Sequence, residues 1–392
     1  MVINMAYNIL VLNIGSTSFK FKYYDMESEE VIASGRIESV FNNNSKYTYD
    51  VNNKKQIGEI NTVDGYEPCI DMMAELVKKS VVGGIETVKA IGFKTVMAGD
   101  INRTCELDNS VIDKMKEYST VAPAHNTPYI DAVKYVRKIF PQAVLVGSFE
   151  TAFHNTMPSY ASMYPIDSAL ADKYGIRKYG FHGAAHSYVA YKLNSYGHRK
   201  IISVHLGGSS SVCAIKDGIS VDTSMGFSPQ SGLPMNNRCG DLDVFALLYI
   251  MEKENMTVED TRIFLSTKCG LMGMSGVSND IRKIEKSGSF ETIEAYTYAI
   301  SKYICSFLAS LGGIDAISFS GGIGENSKSI KNAVCKRLKF LGVKLSREKM
   351  NHTLGSEPLL ISDSDSKVKV YTTPIDEEIM VARNTYNYLM KG

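Results

Sequence analysis

The chain has no uninterrupted apolar stretch of about 18 residues, the length a helix needs to cross a bilayer, so no membrane-spanning helix is expected. It has no surplus of one charge either: 43 Lys plus Arg stand against 42 Asp plus Glu, a net charge of +1 with His neutral. That balance disfavours generic binding to nucleic acid or to an anionic membrane. The seven cysteines are scattered, odd in number and never spaced C-x-x-C, which points away from a disulfide framework and from a zinc site. The opening MVINMAYNILVLNIG lacks the basic region and small-residue cleavage site of a secretory signal. A soluble protein of the reducing cytoplasm is expected.

What remains is an ordinary globular composition, 44% hydrophobic and 22% charged. At 392 residues the chain suits two domains on a prior of about 150 residues each, with a boundary near Glu150 to Pro158. From Ile9 to Asp25, ILVLNIGSTSFKFKYYD reads as an apolar strand, a small-residue turn and a second strand alternating Phe and Lys, a β-hairpin. IISVHLGGSSSVCAIKDGISVD, from Ile201, repeats that order and adds a third strand after a D-G turn. The repeat implies internal duplication of one α/β unit. Helical periodicity spans Pro68 to Lys79, Ser110 to Tyr118, Ile130 to Ile139, His186 to Asn194, Val244 to Lys253, Val258 to Ser266, Ser278 to Ser287, Glu291 to Leu311, Lys328 to Phe340 and Glu377 to Lys391. Short β-branched runs lie between them, and the class is α/β. Phe41 to Lys55, polar and rich in Asn, reads as a hairpin or loop.

Three loops have the composition of an anion cradle. N-I-G-S-T-S-F-K offers hydroxyls and backbone N–H groups from Ser16 to Ser18 and the ammonium of Lys20. H-L-G-G-S-S-S, His205 to Ser211, is its counterpart in the second half, and S-F-S-G-G-I-G-E-N, Ser318 to Asn326, joins a strand to a helix whose first N–H groups would face a nucleotide. Each alone could be a plain structural turn. Neither G-x-G-x-x-G nor the Walker pattern occurs in them, which sets aside dinucleotide and P-loop folds. Lys94, His125, Glu150, His182, His205 and Arg238 lie in compact motifs and are suited to phosphoryl transfer, where catalysis is mainly positioning and charge neutralisation. Arg238, in M-N-N-R-C-G-D, could hold a carboxylate or phosphoryl group with both arms of its fork.

Taken in order, these segments resemble the acetate kinase family, of the superfamily of acetate and sugar kinases, Hsc70 and actin. The matching runs are N-I-G-S-T-S-F-K, A-P-A-H-N, F-E-T-A-F-H, Y-G-I-R-K-Y-G-F-H-G, V-D-T-S-M-G-F-S-P, R-C-G-D-L-D, S-G-G-I-G-E-N and D-E-E, spread along nearly the whole chain. The resemblance implies a duplicated ribonuclease-H-like (actin-like ATPase) fold in two lobes with an interlobe cleft. It places an N-terminal lobe at 1–152, joined by a C-terminal helix at 378–392, and a nucleotide-binding lobe at 153–377. It also implies a homodimer that uses ATP or ADP as co-substrate, Mg2+ as cofactor and a small carboxylic acid as acceptor. Carried over by position, Arg238 and His182 would hold the carboxylate and the moving phosphoryl group, with His125 and His205 near the phosphates. Glu150 and Lys94 would stand at the catalytic Asp and Arg. Asn13 and Glu377 would support magnesium. Ser16, Ser18, Lys20, Gly207 and Gly208 would line the phosphate path, and Asp280, Arg282, Gly322, Ile323 and Asn326 would surround the adenosine.

Departures from the family pattern fall in the same places. G-F-K-T-V-M-A-G puts Lys94 where the family has Arg, and Phe93 and Met97 where it has two His. Glu150 replaces Asp and adds a methylene to a carboxylate that must be placed finely. Ala124 replaces a bulkier apolar residue, Asn236 and Asn237 stand in the place of Gly-Thr, and the second phosphate loop has lost an amide donor at Gly208. Acetate is the expected acceptor. The alternatives are propionate, butyrate or a larger or more polar acid, for which Ala124, Asn236 and Asn237 would make room, and a degenerate paralogue that binds nucleotide without turnover. A sugar kinase is disfavoured, because a hydroxyl acceptor needs a general base whereas a carboxylate is already ionised at neutral pH.

Overall fold

The computed structural model describes residues 7–391 except 16, 42, 52, 53, 82 and 122, and at 43, 61, 62, 80 and 123–125 only the backbone. Ser16 and the side chains of Ala124 and His125 therefore lie outside the described residues. The chain separates into two compact units, residues 1–152 with 376–392, and residues 153–375.

In the first unit, β1 (Asn8–Ile14), β2 (Ser18–Asp25), β3 (Glu30–Glu38), β4 (Asn43–Val51), β5 (Lys54–Thr62), β6 (Ala90–Phe93), β7 (Cys105–Glu106) and β8 (Val144–Gly147) form one sheet. Its order is β5-β4-β3-β2-β1-β6-β8-β7. Strands β1, β6 and β8 run parallel, while β2 to β5 extend the sheet as antiparallel hairpins. β1 is apolar without a break from Ile9 to Leu12 because a central strand is covered on both faces. β2 alternates instead: Phe19, Phe21 and Tyr23 are buried in the core, each worth about 1.5–3 kcal/mol of burial, while Lys20 and Lys22 take the other face. Phe93 and Met97, where the family has His, are both fully buried. The helices are α1 (Glu67–Ser80), α2 (Asn109–Glu117) and α3 (Pro123–Ile139). Helix α3 begins seven residues before the expected Ile130, with Pro123 as its first residue and Pro128 inside it. Pro at a helix start fits because its missing N–H would have no intrahelical partner there.

The second unit repeats the plan. β9 (Lys200–Leu206), β10 (Ser210–Lys216), β11 (Ile219–Thr223), β12 (Ala316–Ser320), β13 (Leu359–Leu360) and β14 (Lys369–Thr372) pair in the order β11-β10-β9-β12-β14-β13. Reading β3-β2-β1-β6-β8 against β11-β10-β9-β12-β14 gives the same succession, three antiparallel strands and then two more parallel to the first. This is the ribonuclease-H-like arrangement in duplicate. The helices are α4 (Ser159–Ser162), α5 (Ser168–Tyr174), α6 (Gly183–Ser195), α7 (Val244–Lys253), α8 (Val258–Thr267), α9 (Gly270–Ser275), α10 (Ile281–Ser287), α11 (Phe290–Leu311), α12 (Gly321–Asn326) and α13 (Lys328–Arg337). Helix α11 buries Tyr296, Ile300, Ile304, Phe307 and Leu311 at helical spacing against the sheet. Helices α4, α5, α9 and α12 are too short for periodicity to reveal.

The last helix, α14 (Glu377–Lys391), returns to the first unit and packs on β1 and β6. Gly92 permits this approach: a Cβ there would sit 2.4 Å from Thr385 Oγ1 and 3.0 Å from Val381 Cγ1. Among the described residues no helix is long and apolar enough to cross a membrane.

Candidate active site

Open α/β sheets bind ligands beyond the carboxyl ends of their parallel strands, where loops replace ladder hydrogen bonds. The chemistry-bearing residues of each unit collect there. In the first unit Asn13 lies near the end of β1, Lys94 follows β6 and Glu150 follows β8. Asn13 faces Lys20 across the first hairpin, and the tip closes with the Gly15 N–H donating to the Ser18 carbonyl at 2.8 Å. A Cβ on Gly15 would stand 2.6 Å from Ser18 Oγ, so a larger residue there would turn that hydroxyl aside. The Tyr66 hydroxyl holds the Gly15 carbonyl at 2.5 Å, and Tyr129 accepts the Ile14 N–H at 2.9 Å.

Behind the hairpin lies a charge network brought together by α14. Lys94 Nζ donates to Glu377 Oε2 at 2.6 Å and stands 3.8 Å from Glu150 Oε1. Burial presses the Lys94 pKa down, but the carboxylates of Glu377 and Glu150 outweigh it, so the group is raised and remains an ammonium. Asn13 Nδ2 donates to Glu378 Oε1 at 2.9 Å, which turns the amide oxygen the other way. Burial pushes Glu378 up, yet Lys22 and the Asn13 amide hold it below the usual carboxylate range. Lys22 also pairs with Asp376 at 2.7 Å. Among the described residues no three His, Cys, Asp or Glu side chains group as a metal cage. The oxygens of Asn13 and Glu377 are hard donors, the kind magnesium takes when water and phosphate complete its shell.

In the second unit the hairpin tip is Gly207 to Ser209, with the Gly207 N–H donating to the Ser209 carbonyl at 3.0 Å. Arg238 Nη1 donates to Ser209 Oγ at 3.1 Å and to the Pro229 carbonyl at 3.3 Å. No carboxylate among the described residues pairs with Arg238, and burial lowers its pKa. A guanidinium so placed can take an anion that the described residues do not themselves supply. His182 stands at the head of α6 with φ +59°, a left-handed conformation that is uncommon outside glycine and costly to hold. Its Nδ1 meets Ser211 Oγ at 2.8 Å. The same hydroxyl meets His186 Nε2 at 2.8 Å, and His186 Nδ1 meets Ser203 Oγ at 2.8 Å. One hydroxyl has one hydrogen, so at least one of the two imidazole nitrogens at Ser211 must carry its own proton and donate. The ring of His205 lies 4.8 Å from that of His182.

A cavity of ≈ 760 Å³ opens beside this tip, walled by Gly207, Gly208, Asp280, Arg282, Gly322, Ile323 and Asn326, together with Asn236, Asn279 and Glu285. Its volume is that of a nucleotide-sized ligand site. Asp280 caps α10 and grips Arg282 with both carboxylate oxygens, at 3.0 and 2.6 Å; that contact holds the Asp280 pKa down to about 2. Gly321, φ +76°, could not carry a Cβ, which would stand 2.6 Å from the Leu206 carbonyl.

Three expectations change. The S-F-S-G-G-I-G-E-N turn is itself the short helix α12, and its Gly321 N–H is taken by Glu325 Oε1 at 3.1 Å. Asn236 lines the nucleotide-sized cavity, where an acyl pocket was expected, and Asn237 accepts from Asn279 Nδ2, another residue of that wall, at 3.0 Å. Met97 and Phe93 are core residues rather than substitutes facing a ligand. Sequence reasoning also named Ser211 only as the end of the second anion loop, and it passed over His186 and the acidic partners Asp376 and Glu378. The D-E-E run was the one signal for the last two, and nothing local marks His186.

The Acetokinase family pattern matches residues 8–383. An acetate kinase of Azobacteroides pseudotrichonymphae is 40% identical over 97% of this chain and 99% of its own, and one of Phocaeicola vulgatus is 40% identical over 98% and 100%. Among solved structures, Porphyromonas gingivalis acetate kinase matches at 33% identity and a TM-score of 0.85, covering 98% of this chain and 100% of that one. A propionate kinase from Francisella tularensis matches at 31% and 0.86, covering 97% and 99%. With the duplicated sheets and the residues at their strand ends, these matches establish that the chain belongs to the acetokinase family, phosphotransferases with a carboxyl group as acceptor.

Proposed function

We propose that this protein transfers the γ-phosphoryl group of ATP reversibly to acetate, giving acetyl phosphate and ADP. The observation that carries the reading is Arg238: a largely buried guanidinium with no carboxylate partner among the described residues, held by Ser209 of the glycine-serine tip that walls the nucleotide-sized cavity. Arg238 would bind the acceptor carboxylate and, as transfer proceeds, the phosphoryl oxygens, where a planar fork matches both. The acceptor is already ionised at neutral pH, so no general base is required. His182, fixed by Ser211, would donate to the phosphoryl oxygens from a strained and therefore pre-set position. His205 would stand beside it, and His125 near the phosphates. Asp280, Arg282, Gly322, Ile323 and Asn326 would enclose the adenosine, with Gly207 and Gly208 against its phosphates.

In the first unit Ser16, Ser18 and Lys20 would line the phosphate path, and Lys94 with Glu150 would set the charge around the transferred group. Asn13 and Glu377 would hold magnesium, which when bound neutralises phosphate charge. Their donor chemistry fits, since an amide oxygen and a carboxylate leave most of the shell to water and phosphate. The units would serve as the lobes of the reaction, with the division at 152 and 375. A cytoplasmic home is in keeping with seven cysteines that are all free thiols. A homodimer would cover the apolar side chains that the second unit exposes on α4 and α7, such as Tyr160 at 83% and Phe245 at 76%.

The test is a hydroxylamine trap with magnesium and ATP across small carboxylic acids, propionate included. Acetohydroxamate is expected as the principal product. A larger acid turning over better would replace acetate as the acceptor, and no hydroxamate from any acid, with nucleotide binding intact by calorimetry, would overturn the reading.

A further inference from the structure

A second cavity, of ≈ 840 Å³, lies along α13 and is lined by Lys328, Lys336, Lys339, Lys344 and Arg347 with no acidic residue in its wall. The stretch from Lys328 to Asn351 carries eight basic residues and one acidic, a net +7 in a chain whose total is +1. Three of the eight are engaged away from the cavity: Lys331 with the Glu325 carbonyl and Thr372, Arg337 with Glu294, and Lys349 with the Ser362 carbonyl. Of the five in the wall, Lys344 pairs with Asp365 and Lys328 donates to Asn351 Oδ1 at 2.8 Å. Lys336, Lys339 and Arg347 have no ion-pair or hydrogen-bond partner among the described residues. Helix polarity accounts for Lys336, which lies in the last turn of α13. It does not account for Lys339, Lys344 and Arg347, which come from later turns and converge on the same space. Bringing like charges together around an open cavity costs energy that a bound polyanion would recover.

Helix α13 also connects this cavity to the nucleotide-sized one. Ser327, Lys328 and Ser329, at its start, line the first cavity, while Asn332, Cys335 and Lys336 line the second, and Lys328 lines both. We propose that the basic cavity is a second anion site, which takes a multiply charged phosphate anion, either a condensed phosphate chain or the phosphate tail of a second nucleotide, and alters nucleotide affinity in the adjoining cavity through Lys328. The coupling rests on the nucleotide reading above; the anion site does not. Because binding energies are linked, nucleotide would alter anion affinity by the same factor.

The test is calorimetry on the full chain saturated with a non-hydrolysable ATP analogue, with magnesium in excess. Inorganic tripolyphosphate is titrated in one arm and further analogue in the other, which separates the two sources of phosphate. Saturable binding of one equivalent is expected in at least one arm. The combined substitution Lys336→Gln, Lys339→Gln and Arg347→Gln should weaken it about ten-fold or more, given the dependence of polyanion binding on each cationic contact. All three residues are exposed, so melting temperature and anion-free acetate turnover should stay unchanged; Lys339→Gln alone serves as a milder second variant. The anion should shift the KM for ATP about two-fold or more in the wild type only. No saturable binding in either arm, equal affinity in wild type and variants, or retention of single-stranded RNA in place of both phosphates would overturn the site. Binding with no change in the KM for ATP would overturn the coupling. Heat of binding is read without turnover, so failure of the kinase reading would show separately in the hydroxamate assay.

Discussion

Lowering the pH from 7 to 5 should loosen the second unit through its buried imidazoles before its carboxylates are protonated. His154 is 1% exposed, and burial, with Lys178 nearby, pushes its pKa from 6.5 down to about 4. Its nitrogens meet Ser220 Oγ at 2.8 Å and the Phe181 carbonyl at 2.9 Å, an arrangement that uses one N–H and one lone pair and so suits the neutral ring. The folded pKa lies below the unfolded one, so between pH 6.5 and 4 the unfolded chain binds the proton first and stability falls as pH falls. At pH 5 the loss for His154 alone is about 2 kcal/mol relative to pH 7. His186, fully buried and likewise pushed down by burial and by His154 and His205, adds a loss of the same sign. Calorimetric melting of the wild type and of His154→Gln at both pH values isolates one ring from the carboxylate background. For a unit of this size the wild type should lose roughly 4–8 °C more than the variant on acidification. Equal losses would refute the assignment of a neutral buried imidazole.

Lys94→Met should cost about 3–5 kcal/mol, because it removes the cation that both Glu150 and Glu377 face in a largely buried setting. Denaturant unfolding would measure it, and adding Glu150→Gln to the same chain should recover part of the loss; no recovery would mean that the pair is uncoupled. Gly321→Ala places a Cβ 2.6 Å from the Leu206 carbonyl at φ +76°, a strain of about 1–3 kcal/mol next to Gly322, which lines the nucleotide-sized cavity. Its mark should be a raised KM for ATP with the KM for acetate little changed, and an unaltered KM for ATP would contradict the placement of the nucleotide.

Local pattern carried the two hairpins because alternation and Gly/Ser turns are short-range signals: Phe19, Phe21 and Tyr23 alternate with Lys20 and Lys22, and the fold keeps that face assignment. Helix α14 was readable for the same reason, its periodic residues running from Glu377 to Lys391. The start of α3 was not, because Pro123 and Pro128 read as breakers where one opens a helix and the other is tolerated within it. Long-range pairing was beyond any local signal. Lys94 meets Glu377 across 283 positions of sequence, and Asn13 meets Glu378 across 365. His186 looks like any helical residue until the fold places Ser203 and Ser211 on either side of its ring.

The two departures Lys for Arg and Glu for Asp are adjacent in space and are better understood as one change. Lys94 Nζ and Glu150 Oε1 stand 3.8 Å apart, and Glu377 holds the same ammonium from another side at 2.6 Å. Exchanging Arg for Lys reduces a broad fork to a point charge, and exchanging Asp for Glu extends a carboxylate by one methylene. The sign and number of charges are kept. A chain drifting away from catalysis has no reason to retain a buried ammonium between two carboxylates, an arrangement costly to desolvate and of little net value to stability. The retained pair, Arg238 without a carboxylate partner among the described residues and the strained His182 are each expensive to the fold: Lys94 and Glu150 follow β6 and β8, while Arg238 and His182 are held by Ser209 and Ser211 of the β9–β10 hairpin.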